Sequence, residues 1–96
     1  MRLTYIVTYD VREARRLRQI FKTMRGFGDH LQYSVFRCDL NAKDRVRMVS
    51  ALTDVIKHDE DQVLIIPLGP PDGPRTRSIQ SIGQPYVPAD HDAIIV

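Results

Sequence analysis

The chain has 96 residues, of which 43% are hydrophobic and 27% charged, and its formal net charge at pH 7 is +2. This composition is that of one ordinary globular domain, large enough for a core but too small for a roomy enclosed substrate cavity. No apolar run approaches the ~20 residues that cross a bilayer, and no signal peptide is visible, so we expect a cytoplasmic protein without membrane association. Cys38 is the only cysteine, which excludes an intramolecular disulfide and any multi-cysteine metal site; we expect it to be buried in a strand.

Positive charge is concentrated in the first half of the chain. Residues 1–47 contain eleven Lys and Arg against five Asp and Glu, whereas residues 48–96 contain three against seven. This asymmetry is typical of a domain whose N-terminal half faces a polyanion, although a solvated charged face gives the same pattern.

The first predicted element is a β-strand over residues 3–9 that ends at Asp10. Its residues alternate with a period of two, which places successive side chains on opposite faces of a strand. One predicted face carries Leu3, Tyr5, Val7 and Tyr9. The other carries Thr4, Ile6, Thr8 and, at the strand end, Asp10.

A helix is predicted over residues 12–25, with Gly26 as its C-terminal stop. Its apolar side is predicted to comprise Ala14, Leu17, Ile20, Phe21 and Met24. The opposite side is predicted to carry six basic residues, which are the candidate nucleic-acid contacts: Arg12, Arg15, Arg16, Arg18, Lys22 and Arg25.

Residues 30–40 are strand-like and long enough for two short strands joined near Ser34. Asn41 is the predicted N-cap of a second helix, whose buried stripe is predicted to be Ala42, Val46, Val49, Leu52 and Ile56. The polar residues 58–61 are expected to be solvated and lead into a strand over residues 63–66. Pro67 either ends that strand or confines its later part to a sheet edge.

The element order β-α-β-β-α-β predicts an α+β, ferredoxin-like fold with an antiparallel sheet and both helices on one face. We expect residues 1–68 to form this core, residues 69–77 to be a Pro/Gly-rich linker, and residues 78–96 to be a tail. The tail's apolar end predicts a strand that docks on a sheet edge of its own chain or of a partner. The uncovered sheet face favours a homodimer.

Several motifs also resemble one known family. Tyr9-Asp10-Val11 follows the first strand, Gly26-Phe27-Gly28-Asp29 follows the basic helix, and residues 31–40 read LQYSVFRCDL. Together they resemble the Cas-two family of small CRISPR-associated proteins of spacer acquisition. The resemblance implies a ferredoxin-like homodimer, often described as a magnesium-dependent endonuclease on RNA or double-stranded DNA. It also implies a CRISPR integrase as partner, and Asp10 as the metal-binding and catalytic residue, with Mg²⁺ or Mn²⁺ as the ion.

The chemistry of Asp10 has two interpretations. Magnesium needs only one or two protein carboxylates besides water and substrate phosphate, and a two-fold axis would bring two copies of Asp10 together. Arg16 and Arg18 would then contact phosphate or developing negative charge. From its position alone, however, Asp10 is better suited to be the N-cap of the following helix than a metal ligand, and only the resemblance reverses that order.

Three functions remain open at this point: a metal-dependent endonuclease, a structural adaptor that bridges integrase subunits through its basic helices, and a toxin-like ribonuclease of the same fold. The adaptor would need the six basic residues but not Asp10. The aromatic residues are expected to serve packing rather than base stacking: Tyr5, Tyr9, Phe27, Tyr33 and Phe36. None of the three histidines is a predicted site residue, and His30 has no evident partner in the sequence.

Overall fold

The computed structural model describes residues 1–71 and 79–87. It contains the predicted ferredoxin-like order of elements, and the bounds are β1 Leu3–Asp10, α1 Ala14–Arg25, β2 Asp29–Gln32, β3 Val35–Leu40, α2 Ala42–Val55 and β4 Gln62–Gly69. The four strands form one antiparallel sheet in the order β2-β3-β1-β4. No helix in the described ranges is long and apolar enough to cross a membrane.

The two faces of β1 follow its alternation, except that Thr4, predicted on the uncovered face, is only 1% exposed and donates its hydroxyl to Asp39 Oδ1 at 2.7 Å. Tyr5, Val7 and Tyr9 are buried in the core on the helix-covered face. The opposite face, here called the open face, carries Thr4, Ile6, Thr8 and Asp10. It continues onto β4 through Ile66 and Leu64, which pair with Ile6 and Thr8.

The helix faces that pack against the core differ in part from the predicted faces. In α1, Ile20 and Met24 are fully buried, whereas the predicted Leu17 lies at the edge of the core and is 36% exposed. In α2 the expected Val46 is exposed, and Met48 takes its place beside Leu52 in the core. The predicted stripe of α2 was therefore partly wrong, because the apolar positions of that helix span more than one face and only tertiary packing selects among them.

Close backbone packing joins the end of α1 to β3. Gly26 is the C-cap of α1, as predicted. A Cβ atom at Gly28 would lie 2.5 Å from the Cys38 sulfur and still nearer to the Arg37 carbonyl oxygen. Gly28 is therefore required by space, since the chain passes directly against β3.

Strand β4 lies at the sheet edge, which explains its tolerance of Pro67. Proline has no N–H to donate, so it is confined to edges, strand starts and bulges. The pairing with β1 shifts register beside Pro67, where Tyr5 pairs with Pro67 and Thr4 with Gly69. The strand thus extends to Gly69, into the predicted linker. The strand predicted at the apolar end of the tail, residues 93–96, lies outside the described part, and the described tail residues 79–87 contain no strand.

Candidate metal and nucleic-acid site

Asp10 lies at the exposed end of β1, opposite Gln62 of β4. By strand alternation its side chain belongs to the open face, together with Ile6 and Thr8. Its carboxylate forms no hydrogen bond or ion pair with any other described residue. Asp10 is therefore available to a ligand approaching the open face.

The N-cap of α1 is Glu13, not Asp10, so the capping interpretation of Asp10 was wrong. The Glu13 carboxylate accepts hydrogen bonds from the backbone N–H groups of Arg15 and Arg16, both at 2.9 Å. These two bonds hold the pKa of Glu13 below its usual value. Because Glu13 caps, α1 begins at Ala14 rather than at residue 12.

Arg16 does not share the solvent-facing side of α1 with the other cations. Its guanidinium donates to Asp61 at 2.7 and 3.2 Å and to Glu60 at 3.2 Å. The Asp61 side chain is 1% exposed and also accepts from the Lys57 backbone N–H at 2.8 Å. The hydrogen bond from Arg16, followed by that from Lys57, lowers the pKa of Asp61. Residues 58–61 are therefore not simply solvated, since two of their carboxylates hold α1 against the start of β4.

The remaining helical cations form a stripe along the exposed side of α1. Their spacing of three, four and three residues keeps them on one side of an α-helix. We call them the basic stripe: Arg15, Arg18, Lys22 and Arg25. No carboxylate of the described residues lies within salt-bridge distance of any of them. Arg12 is exposed as well, but it precedes the helix.

Metal ligands are sparse among the described residues of each protomer. In the described part of the chain, no three His, Cys, Asp or Glu side chains are grouped so that they could hold an ion. Cys38 is buried, as predicted. Burial, followed by the charges of Asp29 and Asp39, raises the pKa of its thiol to about 12.

Sequence reasoning missed the position of two residues next to this site. Tyr33 is 86% exposed and is not part of the monomer's core. His30 does have partners: its Nε2 lies 2.7 Å from the Tyr33 carbonyl oxygen, and its ring packs against Phe21 and Phe36 with centroid distances of 5.0 Å. The only feature of the sequence that indicated the exposure of Tyr33 was its position in the turn between two predicted strands.

The fold and these side chains define a small ferredoxin-like domain with a basic helical stripe and an unpaired acid at the end of its first strand. The profile of the family described as CRISPR associated protein Cas2 matches residues 1–72. The chain belongs to this family, which confirms the resemblance seen in its motifs.

Individual members of the family are similar to this protein over most of its length. It is 45% identical over 92 residues to the CRISPR-associated endoribonuclease Cas2 of Geobacter sulfurreducens, covering 96% of each chain. It is 37% identical over 92 residues to an endoribonuclease Cas2 of Rhodospirillum rubrum, covering 96% of this chain and 89% of that one. Among solved structures, Streptococcus pyogenes Cas2 superposes with a TM-score of 0.65 at 31% identity, over 69% of this chain and 86% of that one.

Proposed function

We propose that this protein is a divalent-metal-dependent endonuclease of CRISPR spacer acquisition that works as a homodimer with the CRISPR integrase. The observation that carries the proposal is Asp10, an exposed carboxylate on the open face that neither caps a helix nor pairs with a cation of the described residues. The endoribonuclease name of the relatives supports phosphodiester hydrolysis as the reaction.

The open face is suited to a dimer interface. Leu64 and Ile66 are 47% and 43% exposed, and Ile6 lies beside them in the sheet. A contiguous aliphatic surface of this kind is stabilised by burial against a second copy. Because Asp10 belongs to the same face, a two-fold axis that passes close to the Asp10 end of β1 would bring the two Asp10 carboxylates together.

A pair of Asp10 side chains fits magnesium better than any group of side chains among the described residues of one protomer. Mg²⁺ takes oxygen ligands and retains several waters, so two carboxylates and a substrate phosphate suffice. When bound, the ion supplies Lewis-acid polarisation of the phosphoryl oxygen and a more acidic water. The chain's own contribution is to hold Asp10 at a rigid strand end and to bind the substrate backbone through the basic stripe. Arg16 acts indirectly, because its bonds to Asp61 and Glu60 fix α1 beside the end of β1.

The test is magnesium-dependent cleavage of labelled RNA and duplex DNA by wild type, Asp10→Asn and the control Asp54→Asn. Asp54 is an exposed acid on α2. We expect Asp10→Asn to abolish cleavage while nucleic-acid binding and the unfolding midpoint remain unchanged, and Asp54→Asn to behave as wild type. If Asp10→Asn cleaves normally, Asp10 is not the metal ligand.

The dimer is tested separately by sedimentation. Ile66→Glu places a charge on the open face and is expected to shift the protein to monomer. Val46→Glu makes the same change at an aliphatic side chain that is 64% exposed on α2, and it should leave the dimer intact. Equal behaviour of the two variants would contradict an interface on the open face.

A second function, the structural adaptor, is favoured by one specific observation. The described part of each protomer offers a single free acid at the site, whereas the basic stripe offers four cations without carboxylate partners. In that case wild type and Asp10→Asn both bind duplex DNA, neither cleaves it, and substitutions in the basic stripe alone impair integration.

A further inference from the structure

The turn between β2 and β3 holds the aromatic side chain of Tyr33 in an exposed position. Tyr33 has φ of 43°, in the left-handed region that non-glycine residues seldom adopt. Its carbonyl oxygen is held by His30 Nε2 at 2.7 Å, and the next carbonyl, of Ser34, accepts from the Tyr9 backbone N–H at 3.1 Å. Strand pairing and the packed His30 ring thus fix the turn that leaves Tyr33 exposed.

Beside this tyrosine lies an open cleft of about 480 Å³ between α1 and the turn. Its apolar surface comes from Tyr9, Leu17 and Phe21, and Arg18 and Lys22 line it as well. The two cations belong to the basic stripe, so the cleft is continuous with the surface proposed to bind the nucleic-acid backbone. Among the described residues, no acidic side chain lines the cleft.

We propose that this cleft binds one unpaired nucleotide of a nucleic-acid strand, with its base against the Tyr33 ring and its phosphate at Arg18 and Lys22. The inference rests on the proposed nucleic-acid function and adds to it a subsite for one base and its phosphate. An aromatic ring beside paired cations matches the two chemical parts of a nucleotide, a π-face and an anion. Bases within a duplex are stacked on both faces, so only an unpaired base is able to enter.

The direct test is binding, measured by fluorescence anisotropy, of a single-stranded RNA, a blunt DNA duplex and the same duplex with unpaired ends. Stacking of one base on an aromatic side chain corresponds to a loss of about 5- to 150-fold on alanine substitution. We expect Tyr33→Ala to lose affinity in this range for the single strand and the unpaired ends, and less than twofold for the blunt duplex. Tyr33→Phe retains the ring and should bind as wild type.

A stacking-specific signal accompanies the affinities. The emission of 2-aminopurine in the unpaired position should be quenched by wild type and Tyr33→Phe but not by Tyr33→Ala. The control Val46→Ala removes an exposed apolar side chain from α2 and should leave binding and quenching unchanged. Unfolding midpoints of all variants establish that the fold is retained.

The possible results separate this inference from the proposed function. If wild type binds all three nucleic acids and Tyr33→Ala binds them equally well, the cleft has another occupant, such as an apolar peptide, and the inference is wrong. An equal loss of affinity for all three nucleic acids also contradicts the inference, because the blunt duplex contains no unpaired base. If wild type binds none of them, the proposed function itself fails.

Discussion

Arg15 and Arg16 are adjacent, carry the same side chain and are predicted to have opposite roles. Arg15 is exposed and belongs to the basic stripe, whereas the Arg16 side chain is 18% exposed and bound to Asp61 and Glu60. Substituting each by glutamine therefore compares a free cation with one already neutralised by carboxylates. We expect only Arg15→Gln to change the electrostatics of nucleic-acid binding.

The size of the effect follows from counterion release. Each phosphate neutralised on duplex DNA contributes about 0.9 to the slope of log K against log salt concentration, and about 0.7 on a single strand. The four cations of the basic stripe thus account for a slope of up to about 3.6 per protomer on duplex DNA. Arg15→Gln should lower the slope by about 0.9 per protomer and Arg16→Gln by much less.

The assay is anisotropy of a labelled duplex over a range of NaCl concentrations, with urea unfolding of the same samples. Arg16→Gln leaves Asp61 buried without its cation, so its urea midpoint should fall while that of Arg15→Gln stays near wild type. The reasoning is refuted if Arg16→Gln lowers the salt slope as much as Arg15→Gln. It is also refuted if neither substitution changes the slope.

Three further predictions concern the fold that supports the site. Gly28→Ala should reduce the free energy of unfolding by about 1–3 kcal/mol in urea titrations, because its Cβ would overlap the backbone of β3; unchanged stability would contradict that contact. The hydrogen bond from Arg16 lowers the pKa of Asp61 in the folded state below its ordinary value of 3.8. The ionised Asp61 therefore stabilises the fold above pH 3.8, and this stabilisation is lost as the pH falls through the folded-state pKa. Asp61→Asn should lower the urea midpoint at pH 7 and make the midpoint fall less steeply toward pH 3. Met48→Ala should lower the free energy of unfolding by about 2–5 kcal/mol, and Val46→Ala should lower it by less than about 0.5 kcal/mol. If the predicted stripe of α2 were correct, Val46→Ala would have the larger effect.

Local sequence patterns predicted the strands well because their signals are short-range. The alternation in β1 and the run that divides near Ser34 determine which side chains share a face, and both are visible within a few residues. Asn41 was predicted as the cap of α2, and its side chain does accept the Asp44 N–H at 2.7 Å. Pro67 indicated an edge strand for the same local reason, the missing donor.

The features that sequence reasoning missed depend on contacts between distant residues. The Arg16–Asp61 pair is separated by 45 positions, and only the packing of α1 beside the start of β4 brings them together. Glutamate is a less favoured cap than Asp, Asn, Ser or Thr, so Asp10 had the stronger local preference and Glu13 was overlooked. Tyr33 was assigned to packing because aromatic residues usually pack, and its exposure follows from the turn geometry.

The division of roles among the acids near α1 explains why Asp10 is available for chemistry. A helix N-terminus requires an acceptor, and Glu13 provides two acceptor bonds to it. The Arg16 guanidinium, beside the start of β4, requires a counter-charge, and Asp61 and Glu60 provide it. With both requirements met by other carboxylates, Asp10 is left exposed at a rigid strand end. An Asp10→Asn substitution should consequently leave stability unchanged, which allows its effect on catalysis to be measured without a folding defect.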